Sequence, residues 1–411
     1  MDVLPVTDLN RPVGADEFSA LMENVGPWLP DVAEAPVGLA VSGGGDSLAL
    51  AWLAKRWRHH VVAFVVDHAL RVESAAEARL TASRLQVMGI DAHVLKLAPF
   101  PEGRLQERAR DARFEALEEA CVEAGCLDLL VAHHLHDQDE TVWMRQNAGS
   151  GPSGLAGMGA VALRGRIRIV RPCLMLAPER LRATLRAAGL AWIEDPSNQN
   201  RRFERVRWRQ DLSPTQRDHA REWQVAAQVL RCSEDRKLAR VLAESAVWHS
   251  AGWVHLKPDG IKDKTIAALI RLVSGQRYRP SREQVQALVS RGQGTLGGVM
   301  VRPAGRFGDG VMLVREGRAV EGLVAAKAGA LWDGRWRCAA DALPADGLIG
   351  ALGEGVLKLD ARRVGLPVSA LRTLPALWQN GKVIGLPDIL EGIGAVPFVW
   401  AGGVPVTGER G

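Results

Sequence analysis

Three glycines in a row, Gly43, Gly44 and Gly45, stand between Ser42 and the pair Asp46-Ser47. Glycine lets a backbone approach a ligand closely and takes positive φ at no steric cost. The preceding run 37–41, Val-Gly-Leu-Ala-Val, reads as a short buried strand, and a helix is expected from Leu48 onward. Such a turn aims free N–H groups at an anion, and the helix dipole adds to the attraction. Phosphate or pyrophosphate is the expected guest; a plain strand-to-helix turn is the alternative for a glycine-rich loop taken alone. No Gly-Lys-Ser/Thr follows, so the loop is not a Walker A loop.

A second dense stretch is 133–141, His-His-Leu-His-Asp-Gln-Asp-Glu-Thr. On a helix starting here, His133 and Asp137 are i,i+4 neighbours and His134 and Asp137 are i,i+3, so they share a face. Zinc is the tempting reading, yet no cysteine cluster or H-E-x-x-H accompanies these histidines. An acid–imidazole pair beside a phosphate site better suits Mg²⁺ and proton handling. Arg110 and Arg113 recur at helical spacing with Glu107 and Phe114. They read either as a solvated charged face or as cations for a phosphate. Asp67-His68 reads either as a polar loop with a capping Asp or as an adenine or ribose contact. Arg201, Arg202, Arg205, Arg207 and Arg209 are interleaved with Phe203 and Trp208. Arginine forks match phosphates and stack on bases, so an RNA backbone contact is favoured there.

These residues need a scaffold that brings them to one place. Strands are expected at 61–66, 93–97 and 127–132, with helices at 73–88, 104–124 and 136–146. That alternation predicts an α/β domain with a parallel, doubly wound sheet and helices on both faces. Ligands in such sheets bind beyond the carboxyl ends of the strands, at the switch point. Ser42, Asp67-His68 and His133-His134 all fall at strand ends. From 214 to 291 the pattern turns helical, and Ser281-x-x-Gln284 is a candidate capping box. Beyond 298 strands dominate, with hairpin signals at Asp309-Gly310, Asp333-Gly334 and Asn380-Gly381. The expected organisation is an N-terminal extension (1–36), an α/β domain carrying the glycine-rich loop (37–213), a helical domain (214–293) and a β-rich C-terminal domain (294–411). The strings G-x-G-x-x-G at 149–154 and 292–297 lack the strand-before, helix-after context of a dinucleotide fold.

Composition bounds the answer further. At 411 residues, two to three domains and a sizeable core are expected. Net charge is +5, but the segment 164–209 alone holds twelve arginines, no lysine and four acids. That local excess points to a polyanionic partner. Five scattered cysteines without C-x-x-C spacing argue against a disulfide scaffold, zinc ribbon or iron–sulfur site and fit a reducing compartment. No run reaches the ~18 apolar residues of a membrane span, so the cytoplasm is the expected location.

Ser-Gly-Gly-Gly-Asp-Ser at 42–47 resembles the SGGxDS signature of the PP-loop ATP pyrophosphatases, which hold pyrophosphate as a leaving group while a nucleophile attacks the α-phosphate. Taken with Val66-Asp67-His68-Ala69-Leu70-Arg71, Ala109-Arg110-x-Ala112-Arg113-Phe114, His133-His134-x-x-Asp137-Gln138-x-Glu140-Thr141, Gly149-x-Gly151-x-x-Gly154-Leu155-x-Gly157-Met158, Arg171-Pro172 and Glu194-Asp195-Pro196-Ser197-Asn198, the chain resembles the bacterial tRNA(Ile)-lysidine synthetases over 37–209. Ala148 and Phe114 depart from that family's usual Arg and Tyr.

The resemblance implies ATP-dependent adenylation of C2 of the wobble cytidine in tRNA(Ile) with a CAU anticodon. Attack by the ε-amine of free L-lysine then gives lysidine, AMP and pyrophosphate. It implies a nucleotide site at Ser42, Gly43, Gly44, Gly45, Asp46, Ser47, Asp67 and His68, and Mg²⁺ held by Asp46 and Asp137. Arg110, Arg113, His133 and His134 would offset charge at the α-phosphate, with Asp137 or His134 as the base for the lysine ammonium. The tRNA would lie along Arg201–209 and the C-terminal domains, and a homodimer is compatible with this. Two alternatives are a thiouridine or thiocytidine synthetase, whose usual cysteine pair Cys121 and Cys126 do not supply, and a non-catalytic RNA-binding protein with a degenerate nucleotide site.

Overall fold

The apolar runs of the first half become one six-stranded sheet: β1 (Val37–Ala40), β2 (Val61–Asp67), β3 (Asp91–Lys96), β4 (Asp128–Leu130), β5 (Val161–Arg164) and β6 (Ile167–Val170). Along β2 the period-2 geometry of a strand divides its side chains between two cores. Val61, Ala63 and Val65 enter one core with Leu48, Leu50 and Leu53, while Val62 and Phe64 enter the other with Phe114, Leu117 and Cys121. Leu130 and Leu129 divide in the same way on β4, as do Val170 and Ile169 on β6. Helices α1 (Ala15–Glu23), α2 (Gly45–Trp57) and α3 (Ser74–Val87) supply the first core, and α4 (Leu105–Glu123) supplies the second. Each fully buried Leu, Val or Phe contributes roughly 1.5–3 kcal/mol, so both faces of the sheet are strongly specified.

This computed structural model describes residues 8–67, 74–97, 105–193, 204–276, 278–340, 342–358, 365–388, 390 and 395–401. His68, Arg201, Arg202 and the 194–198 string lie outside the described residues, as does the side chain of Arg205. The chain groups into two compact units, Met1–Arg231 and Cys232–Gly411.

In the first unit the strand order is β3-β2-β1-β4-β6-β5, parallel except for the edge strand β5. From β1 the chain steps outward through β2 and β3, then crosses back to lay β4 on the other side of β1. The order reverses between β1 and β4, and their carboxyl ends open the crevice where an α/β sheet binds its ligand. The helices after them are α2 and α5 (Leu135–Asn147), followed by the short α6 (Pro152–Leu155). The segment expected as an extension is part of this unit's core. Phe18 and Met22 of α1 are buried with Leu181 and Leu185 of α7 (Pro178–Ala187), and Glu17 takes both arms of Arg180 at 2.7 Å. The β5–β6 hairpin and α7 were not anticipated from the sequence. Neither shows a long period, and Arg-rich strands read poorly as core.

Helices α8 (Glu204–Asp211) and α9 (Pro214–Ser245) follow, and the division between the units falls within α9. The all-helical reading of 214–291 needs correction. A hairpin of β7 (Ala246–His249) and β8 (Trp253–Leu256) interrupts it before α10 (Asp263–Ser274) and α11 (Arg282–Arg291). Bulky Val247, Trp248, Trp253 and Val254 flank Gly252 at φ +75°, a turn chemistry that beats the surrounding helical period. The hairpin joins β9 (Gly294–Leu296), β10 (Val299–Pro303) and β11 (Val311–Arg315) in the order β7-β8-β11-β10-β9. One sheet therefore spans residue 293. The capping box is present, with Gln284 N–H donating to Ser281 Oγ at 3.3 Å and Ser281 N–H to Gln284 Oε1 at 3.2 Å. Asp333 and Asn380 take the left-handed φ of 54° and 50° that their hairpins demand. The tail is antiparallel and β-rich, apart from one parallel pairing near its end. Among the described residues no helix is long and apolar enough to cross a membrane.

Candidate active site

The loop after β1 turns as its glycines require. Gly43 has φ +86°, and a Cβ there would overlap the Thr81 hydroxyl. Gly44 precedes the first turn of α2, whose N-terminal N–H groups point out of the sheet rim. Ser47 fastens the loop from inside: its hydroxyl donates to Gly44 O at 2.9 Å and accepts from Ser42 N–H at 3.2 Å. Asp46 stands at the opening, and its Oδ1 is buried with no hydrogen-bond partner among the described residues. Asp67 ends β2 on the same rim and is buried.

The loop after β4 brings the second constellation to this point. His134 caps α5: Asp137 N–H donates to its Nδ1 at 3.4 Å, and His134 N–H donates to Asp137 Oδ2 at 3.0 Å. This is the reciprocal capping-box arrangement with an imidazole in place of a hydroxyl. The other ring nitrogen, Nε2, lies 3.5 Å from Asp137 Oδ2 and 3.5 Å from Asp46 Oδ2. Residues 88 positions apart thus meet across the switch point. Burial alone would lower the His134 pKa. The Asp46 hydrogen bond and the charges of Asp137 and Asp46 outweigh it and raise the value above the ordinary histidine one. Asp137 is held below the usual carboxylate value because the His134 and His133 charges, the cap and Arg209 overcome its burial. His136, half-buried and faced by Arg217, is pushed down to about 4 by desolvation and that charge.

A ring of arginines surrounds α5. Arg209 reaches Glu140 Oε1 at 2.7 Å and Asp137 Oδ1 at 2.9 Å. Asp139, fully buried, takes Arg221 at 2.9 and 3.1 Å, with Arg217 at 3.9 Å. Trp143 of α5 stacks on Trp223 of α9 at 5.5 Å. Gln138 exchanges hydrogen bonds with the Met158 backbone at 2.7 and 2.9 Å, and Arg145 donates to Gly154 O and Gly157 O. The glycine string 149–157 is therefore a structural wrap around α5. His133 accepts from the buried Arg171 Nε at 3.2 Å, an anchor the sequence reading did not single out as a site residue.

Of the residues expected at the site, the structure joins Asp46, His134 and Asp137 directly and sets the 42–47 loop beside them. Arg110 and Arg113 pack on Phe114 together with Arg164, at 5.3, 5.1 and 5.0 Å from the ring centre. Arg207 is exposed on α8. Arg209, read as an RNA contact, instead turns toward α5 and its acids. Alternating arginines show charge but not which side of a short helix is covered. Asp137, read as a Mg²⁺ ligand, has Oδ1 engaged by Arg209 and Oδ2 by the cap and ring of His134.

Residues 15–216 match the PP-loop domain family. The chain is 36% identical to the tRNA(Ile)-lysidine synthase of Ruegeria pomeroyi over 85% of its own length and 88% of the relative's. It is 37% identical to the enzyme of that name from Methylobacterium nodulans, over 67% of this chain and 86% of that one. For Hyphomonas neptunium the identity is 38% over 66% of this chain and 80% of the relative. Aligned with these relatives along most of its length, this chain belongs to the tRNA(Ile)-lysidine synthase family.

Proposed function

We propose that this protein ligates lysine to C2 of the wobble cytidine of tRNA(Ile) bearing a CAU anticodon, through an adenylated cytidine, releasing pyrophosphate and then AMP. The observation that carries the reading is the meeting of Asp46 and His134 beside an anion-cradling loop. ATP lies with its polyphosphate against Gly43–Gly44–Gly45, so that the cytidine O2 attacks the α-phosphorus and pyrophosphate departs into the loop.

Mg²⁺ fits this site through Asp46, whose buried Oδ1 has no hydrogen-bond partner among the described residues. Hard oxygen donors and few protein ligands are what a phosphate-bound Mg²⁺ takes. When bound, the ion supplies positive charge to the phosphate oxygens. Asp137 has its oxygens engaged and is the weaker ligand of the two. The nucleophile is the ε-amine of lysine, which arrives as an ammonium. That ammonium must shed a proton before it attacks, and we assign the proton to His134 Nδ1. The ring gives up a long cap bond of 3.4 Å there, while Asp46 and Asp137 stabilise the imidazolium that results. The tRNA lies along the exposed side of α8, where Arg207 stands, in the cytoplasm.

Asp46→Asn tests the assignment. Pyrophosphate release should fall by about 10²-fold or more, as for loss of a charge at the reacting phosphate, while tRNA still binds. Undiminished turnover by this variant would remove Asp46 from the reaction.

A further inference from the structure

Gly45, the first helical residue of α2, has an indole lying on it. A Cβ at Gly45 would stand 3.3 Å from Trp192 Cδ1 and 3.4 Å from both Cγ and Nε1. The ring is held there from two sides. Leu190 and Trp192 pack on the first core, and Ile193 N–H donates to Gly43 O at 3.0 Å, so the strap 190–193 is hydrogen-bonded to the glycine loop itself. The indole N–H is a donor only, and among the described residues it has no acceptor. Trp192 is only half-buried, so this N–H stays open to an acceptor arriving at the glycine turn.

We propose that Trp192 Nε1–H donates a hydrogen bond to a polyphosphate oxygen of ATP held in the 42–47 loop. On this view Gly45 is a glycine because the indole occupies the space of its side chain. The strap serves as a further wall of the nucleotide site, and Trp192 is a ligand-binding residue. The inference rests on the reading of that loop as the ATP site.

The test is calorimetric titration of the full chain with ATP, pyrophosphate and AMP, using Trp192→Phe and Trp192→His. Phenylalanine keeps a flat ring on Gly45 and removes the donor. It should weaken ATP and pyrophosphate by about tenfold, the loss of one hydrogen bond to a charged acceptor, and leave AMP unchanged. Histidine, with a ring N–H, should recover part of the loss. A merely structural role would move all three ligands together and lower the melting temperature as well. Equal ATP affinity in wild type and Trp192→Phe would overturn the inference while leaving the loop as the ATP site. Absence of ATP binding by the wild type would overturn both.

Discussion

His134 does three things with one ring: it caps α5, orients Asp46 and balances Asp137. Its raised pKa ties these tasks to pH. A histidine whose folded value exceeds its unfolded one, ~6.5, contributes stability that is fully present below that pH and lost as pH rises through the folded value. His136 has the opposite sign. Held neutral down to about 4, it contributes stability above the ordinary histidine value that is lost as pH falls toward 4. Histidine NMR titration should therefore show His134 with its midpoint above the free-histidine value and His136 far below it. Asp46→Asn should shift the His134 midpoint downward. An unshifted His134 midpoint in the wild type would mean that the two carboxylates do not face its ring. At this scale the sequence was informative about residue types, because Asp46 and the pair His134–Asp137 each sit in a short string with helical spacing. Their contact was not legible, since it depends on a crossover that places β4 beside β1. The inward turn of Arg209 was equally hidden.

Helix α5 is unusual in burying Asp139 and Glu140 completely. Burial raises the Asp139 pKa despite the Arg221 and Arg217 partners, so the helix is stable at neutral pH only while those arginines stay. Arg221→Gln should cost about 2–3 kcal/mol in urea unfolding at neutral pH, the range for leaving a buried charge short of a partner. Lowering the pH should return part of that loss, because a raised carboxyl pKa favours the fold once the group is protonated. Adding Asp139→Asn should return part as well. Equal stability of Arg221→Gln and wild type would show the pair to be energetically idle. The parallel-sheet elements were legible within a few residues because β1 and most of β2 are continuous apolar runs, β4 lies in a run broken only by Asp128, and their helices are long. The β7–β8 hairpin was not, since two strands of four residues carry too little period to outweigh the helices on either side.

Over the whole molecule, charge is distributed more unevenly than the net of +5 suggests. The positive excess lies between the glycine wrap of α5 and the start of α9, and much of it is spent internally. Arg168, Arg171, Arg180 and Arg209 are bound by protein groups. The arginines that meet tRNA should be those with exposed or outward positions, Arg207 foremost. Replacing Arg205 and Arg207 should reduce the slope of log affinity against log salt by roughly 0.7–0.9 for each phosphate no longer neutralised. An unchanged slope would assign these two arginines to structure alone. The most direct test of the account follows the phosphates. Incubation of the protein with α-labelled ATP, lysine and unmodified tRNA(Ile) should yield labelled AMP, one pyrophosphate per turnover and lysine covalently attached to the RNA. Formation of ADP with free phosphate would place the electrophile at the outer phosphorus and contradict it.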